Sequence, residues 1–193
     1  MLRPDQLDVD RACVLVIDLQ VKLLPFIGHR ERVLAAGRKL LDGVRPFGLP
    51  VLASEQYAKG LGSTDQAIQD ALDASGAPTL DKLTMSACGE DSIRKALDET
   101  DRPQIVLIGI EAHVCVQQTA LDLRAMDYDV FVCADAVGSR GRMDYETSLA
   151  RMRQAGVLVT TVESALFELC SRCDTQQFKE MIEVVKATPP ADE

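Results

Sequence analysis

The stretch ACVLVID, residues 12–18, is an unbroken apolar run that ends in an acid, and no other feature limits the fold so tightly. A strand with one wet face alternates apolar and polar side chains. A run without polar interruption is buried on both faces, as in the interior of a parallel sheet. Residues 12–18 therefore predict a central first strand. Similar runs follow: PVLASEQ at 50–56, IVLIGI at 105–110 behind Pro103, DVFVCADAV at 129–137 and VLVTTVE at 157–163.

Helical periodicity fills the intervals. Val33, Leu34, Leu40, Leu41 and Val44 recur at helical spacing over 30–46 before Pro46, Gly48 and Pro50 break the pattern. Further helices are expected over 89–99, 113–126, 142–155 and 164–185, the last with a break near Asp174. Strands alternating with helices specify an α/β fold: three αβα layers around a mostly parallel, Rossmann-like central sheet, joined by right-handed crossovers. The stretch 57–81 is less regular, rich in Gly and Pro, and is expected to form loops around an active site. With 47% hydrophobic residues and no repeat or linker, residues 1–187 read as one domain, and 188–193 as a short disordered tail.

Charge narrows the function. A net charge of −9 argues against nucleic acid as a partner, because that affinity comes from Lys and Arg neutralising phosphates. No apolar run approaches the roughly 20 residues that cross a bilayer, and MLRPDQLDVD lacks the apolar segment of a secretory signal. The expectation is a cytoplasmic protein with no membrane partner. The six cysteines show no framework spacing and read as free thiols in a reducing compartment. Cys170 and Cys173 form CSRC, which lacks the second pair that a zinc site needs, so packing on a helix face is expected. His29 and His113 stand far apart, which leaves little material for a metal site.

In open parallel sheets the ligand crevice lies beyond the carboxyl ends of the strands. Asp18 ends the first strand, Lys82 follows the irregular stretch, and Cys115 stands where IVLIGI gives way to a helix. A cysteine at a helix start feels unpaired N–H groups, and a nearby lysine adds a full charge; both favour thiolate. A carboxylate such as Asp18 could accept the thiol proton and return it to a leaving group. Singly, each has an ordinary explanation: a small buried hydrophobe for the cysteine, solvated charges for the other two. Their joint placement raises the catalytic reading without naming a reaction. A nucleotide-binding reading fails, because VIDLQVKLLPFIG lacks the GxGxxG turn that lets backbone approach a pyrophosphate.

Three motifs carry a family resemblance: VIDLQ at 16–20, SEQYAKGLG at 54–62 and GIEAHVCVQQTALDL at 109–123. In order and content they resemble the isochorismatase-like cysteine hydrolases, close to the isochorismatase domain-containing subgroup, from about residue 11 to the FKEMIEVVKA helix. The resemblance implies the isochorismatase-like hydrolase fold and a triad of Asp18, Lys82 and Cys115. It implies a cis peptide between Ile110 and Glu111, with the N–H groups of Glu111 and Cys115 as an oxyanion hole. The family's nicotinamidase branch binds zinc through an Asp and two His near the second strand; SEQYAKG has no such set, so no metal or other cofactor is expected. Amide or related acyl chemistry on a small molecule, through a thioester, is implied, with a noncatalytic binding or scaffold protein as the alternative.

Other residues are candidates for contacts with substrate. Gln20 and Gln56 each follow a strand and could line the pocket or simply face solvent. Tyr57 and Leu83 are expected to give apolar wall. His113 could touch substrate or make a local hydrogen bond. Cys88 is expected to pack. Relatives of this kind commonly associate, so a homo-oligomer is expected.

Overall fold

The structure is a computed structural model and describes residues 5–187; the expected tail at 188–193 lies outside the described residues. Six strands form one parallel sheet: β1 (Ala12–Ile17), β2 (Val51–Gln56), β3 (Thr79–Lys82), β4 (Gln104–Ile110), β5 (Asp129–Gly138) and β6 (Leu158–Thr160). Their order is β3-β2-β1-β4-β5-β6, with every neighbouring pair parallel, so β1 is central. The longer helices are α1 (Arg30–Val44), α3 (Gln66–Ser75), α4 (Asp91–Glu99), α5 (Gln117–Ala125), α6 (Arg142–Gln154), α7 (Val162–Cys170) and α8 (Gln176–Ala187); α2 (Ala58–Leu61) is a single turn.

The apolar run of β1 is explained by two cores. All six of its residues are buried. Val14 and Val16 pack on one face with Leu40, Ile68, Leu166 and Met181, from α1, α3, α7 and α8. Cys13, Leu15 and Ile17 pack on the other with Leu97, Leu123 and Met152, from α4, α5 and α6. Period-two alternation thus sends successive side chains into different cores. Each fully buried leucine or isoleucine stabilises the fold by roughly 1.5–3 kcal/mol.

Local departures from the sequence expectations have physical reasons. The stretch 57–81 is not only loop: it contains α2, α3 and β3. Asp65 caps α3 by accepting from the N–H of Ala67, and Ile68, Ala71 and Leu72 give that helix a buried stripe that its Gly- and Ala-rich surroundings obscured. Strand β3 pairs only with β2, and an edge strand of four residues carries little pattern. The expected strand 157–163 stops at Thr160, because the hydroxyl of Thr161 caps α7 at the N–H of Ser164. Lys82 therefore closes a strand rather than following a loop. Cys115 lies in a widened π turn, Ala112–Val116, ahead of α5, and not at the start of a regular helix.

At the carboxyl edge β1 and β4 approach closely. Gly109 has φ +125, and a Cβ there would stand 2.0 Å from the carbonyl oxygen of Ile17. Only glycine tolerates both conditions. Across the sheet, β5 carries a bulge: β4 advances from Leu107 to Gly109 while β5 advances from Val132 to Val137. The bulge frees Asp135 to cap α7, its carboxylate accepting from the N–H of Val162 at 2.9 Å.

Candidate active site

Asp18, Lys82 and Cys115 come from β1, β3 and the turn after β4, and all three are buried. Asp18 follows β1 directly with φ +51, a left-handed conformation uncommon for a side-chain-bearing residue and frequent at functional sites. Its N–H donates to the carbonyl of Ser54 at 3.1 Å, and its Oδ1 accepts the Ser54 hydroxyl at 2.8 Å. Lys82 reaches across β2, since Lys82 pairs with Gln56 and Ser54 with Ile17 in the strand register.

The ammonium of Lys82 is fully engaged. It donates to Gln56 Oε1 at 2.5 Å and to the carbonyls of Thr84 at 3.2 Å and Met85 at 3.3 Å. Three N–H bonds are all that an ammonium has. Asp18 Oδ2 lies 2.8 Å from Lys82 Nζ, a buried ion pair at hydrogen-bond distance, so the ammonium faces four acceptors with three N–H groups. The two form a charge-assisted pair in a dry environment. The Cys115 thiol donates weakly to Gln56 Oε1 at 4.0 Å and interacts with Asp18 as well.

Electrostatics reverses one expectation. Burial first, and then the Asp18 carboxylate, push the Cys115 thiol up to about 12, against the opposing pull of Lys82. Desolvation thus opposes the thiolate that a helix start and a lysine favour. Burial also raises the Asp18 carboxyl, although Lys82, Ser54 and Cys115 pull it back down. Burial thus disfavours the charged form of both groups, which fits a proton that moves from sulfur to carboxylate only as attack occurs.

The remaining candidates fall into different roles. Gln20 is fully buried. Its amide donates to the carbonyls of Gln56 at 3.0 Å and Gly62 at 2.6 Å and accepts from the N–H of Gln56 at 2.8 Å, a brace across the end of β2. Gln56 Nε2 donates to the carbonyl of Leu83 at 3.1 Å, which aims its oxygen at Lys82 and Cys115. Tyr57 and Leu83 are 48% and 68% exposed and stand with Met85 on the rim. His113 turns to Ser139, Nδ1 to Oγ at 3.0 Å. Ile110 and Glu111 are joined by a cis peptide, and Glu111 pairs with Arg140 at 3.0 Å.

Sequence reasoning missed Ser54 and Glu90. Ser54 offered only its place near the end of β2. Glu90 accepts from the N–H groups of Leu83 and Thr84 and pins the loop whose carbonyls hold Lys82; nothing in its spacing marked it. Cys88 and Cys170 are buried, and Cys173 is exposed. Among the described residues no group of three His, Cys, Asp or Glu side chains is arranged to hold a metal ion, and no helix is long and apolar enough to cross a membrane. A cavity of about 610 Å³ lined by Leu7, Asp8 and Glu168 lies at the opposite, amino end of the sheet, away from this chemistry.

Fold and site together define a class, and comparison with known proteins agrees: residues 12–164 match the isochorismatase domain, and the chain belongs to that family. It is 38% identical over 174 residues to isochorismatase domain-containing protein 1 of Danio rerio, covering 90% of this chain but only 60% of that protein. It is also 34% identical to isochorismatase domain-containing protein 2A of Mus musculus, covering 94% of this chain and 85% of the relative. Among solved structures it is similar to the MAR1 ribonuclease of Caenorhabditis elegans, with 33% identity, a TM-score of 0.90, and coverage of 97% and 95% of the two chains.

Proposed function

We propose that the protein is a cysteine hydrolase that cleaves a small amide or related C–N bond through Asp18, Lys82 and Cys115. One observation carries the reading: a buried carboxylate, paired with a buried lysine at 2.8 Å and braced by the Ser54 hydroxyl, interacts directly with the thiol of a buried cysteine. Asp18 takes the proton of Cys115 as sulfur attacks the carbonyl carbon. The C–N bond then breaks, and Asp18 passes that proton to the departing nitrogen. Water, deprotonated by Asp18, attacks the thioester carbon, the C–S bond breaks to free the acid, and Asp18 returns its proton to the Cys115 sulfur. Lys82 keeps Asp18 ionised and in place. The N–H groups of Glu111 and Cys115 serve as the oxyanion hole. Gln56, Tyr57, Leu83 and His113 contact the substrate, Gln20 braces Gln56 from behind, and no metal or cofactor takes part.

The chain is taken to work in the cytoplasm as a homo-oligomer, which sedimentation would test. A noncatalytic binding protein is the second reading, and the burial that raises the Cys115 thiol is what favours it. The name of the nematode relative raises a third, cleavage of RNA; a net charge of −9 opposes it, and incubation with single-stranded RNA would test it. Ammonia release from a panel of small amides and imides is the primary assay. At least one should be turned over, and Cys115→Ala should lower that rate about 1000-fold or more. Turnover of RNA but of no amide would replace this reading.

A further inference from the structure

We propose that a second site, at the carboxyl end of β5, binds a small oxyanion such as a phosphate or a carboxylate. The β5–α6 junction reads Gly138-Ser139-Arg140-Gly141-Arg142, a strand, a glycine-rich loop and a helix start. That order presents backbone N–H groups to anions. A cavity of about 540 Å³ opens there, lined by Gly28, His29, Arg32, Ser139, Arg140 and Tyr145 among others. The loop before α1 closes its floor, where the N–H of Gly28 donates to the carbonyl of Ser139 at 3.0 Å. Gly138 has no room for a side chain, since a Cβ would stand 2.6 Å from Ile27.

Two helices, of 15 and 13 residues, begin at this cavity, α1 after His29 and α6 after Gly141, and neither has a side-chain cap. Their first N–H groups lack partners within the helix. Charge gives a second, independent indication. In a chain of net charge −9, three arginines line this one cavity. Arg140 pairs with Glu111, and Arg142 with Glu146. Arg32 differs: its guanidinium lies 5.7 Å from the Tyr145 ring centre and donates to the Tyr145 hydroxyl, its buried Nε has no partner, and among the described residues it makes no ion pair. Asp135, the acid that acts on it through space, already caps α7. A half-buried guanidinium without an anion is an unmet demand that a bidentate oxyanion fills. Asp144, in the first turn of α6 beside Gly141, is the group such an anion must displace or neutralise.

The site does not depend on the hydrolase reading. It touches the candidate active site through two contacts, His113 with Ser139 and Glu111 with Arg140. The anion is therefore either the charged end of a substrate that reaches Cys115 or a separate small molecule. Calorimetric titration of the intact chain with inorganic phosphate, at ionic strength fixed with chloride, tests the site. Saturable binding to one site is expected. Arg32→Gln should weaken it about tenfold or more, Arg32→Lys less, and Asp144→Asn should tighten it severalfold. The Asp144 variant keeps the test open should Arg32→Gln fail to fold by circular dichroism. Slower iodoacetamide labelling of Cys115 with phosphate bound would assign the anion to the substrate, and unchanged labelling would assign it to a separate ligand. Absence of saturable binding, or a folded Arg32→Gln chain that binds phosphate like the unaltered one, would overturn the proposal.

Discussion

The two halves of the segment 12–20 are equally buried and do opposite things. Ala12–Ile17 fill two apolar cores without a polar side chain, whereas the continuation places the Asp18 carboxylate and the Gln20 amide in the same dry environment. The first half is stabilising by ordinary burial. The second is not: an isolated buried charge is costly, and a paired one roughly breaks even. Burial is therefore no measure of stabilisation along this chain. The carboxyl edge of the sheet holds the candidate site that the amino half supports.

Substitutions in the two halves should separate rate from stability. Asp18→Asn is expected to lower hydrolysis about 1000-fold or more while the chain stays folded. Leu15→Ala should cost about 2–5 kcal/mol in denaturant unfolding, yet leave the rate per folded molecule nearly unchanged. A Leu15→Ala chain that is stable but inactive would erase the distinction.

A double substitution sharpens it. Lys82→Met alone leaves Asp18 charged and unpaired and should cost about 3–5 kcal/mol. Combining it with Asp18→Leu removes both charges and should recover most of that loss, with no activity regained. Urea midpoints of the two singles and the double would check this; additive losses would mean that the pair stabilises the fold outright.

The effect of pH is smaller and runs in opposite directions for the two properties. The folded-state pKa of Asp18 is raised above its ordinary 3.8, so its contribution to stability is full below that value and is lost as pH rises through the folded value. Catalysis needs the ionised form, so kcat/KM should climb across that same window. Thermal unfolding of Asp18→Asn should lack this component of the slope. Parallel rises in stability and rate would contradict the raised carboxyl.

The smallest effect concerns thiol order. Brief iodoacetamide should label exposed Cys173 first and Cys115 next, ahead of Cys13, Cys88 and Cys133; burial raises all four buried thiols, and Cys115 alone of them interacts with both a carboxylate and a lysine. Peptide mass mapping reads the order. Labelling of Cys88 before Cys115 would argue against an activated nucleophile.

The sequence made the fold legible wherever a run was long and buried on both faces, as in 12–18 and 105–110. It hid β3, whose four residues pair with one neighbour, and α3, whose stripe of Ile68, Ala71 and Leu72 is interrupted by Gln and Asp. Asp18, Lys82 and Cys115 were readable as strand-end residues and from the motifs around them. Ser54, Glu90 and the brace made by Gln20 were not, because their roles come from hydrogen bonds between segments distant in sequence. The burial of Cys115 was hidden for a related reason: the helix start and the lysine are visible in the sequence, and the desolvation that opposes them is not.

Rapid-quench mass spectrometry of the intact chain, with an amide that it turns over, tests the central claim most directly. The account predicts a transient adduct of the acyl mass, mapped to the peptide containing Cys115 and absent from Cys115→Ala. Undiminished turnover by a folded Cys115→Ala chain, or an adduct on another residue, would contradict it.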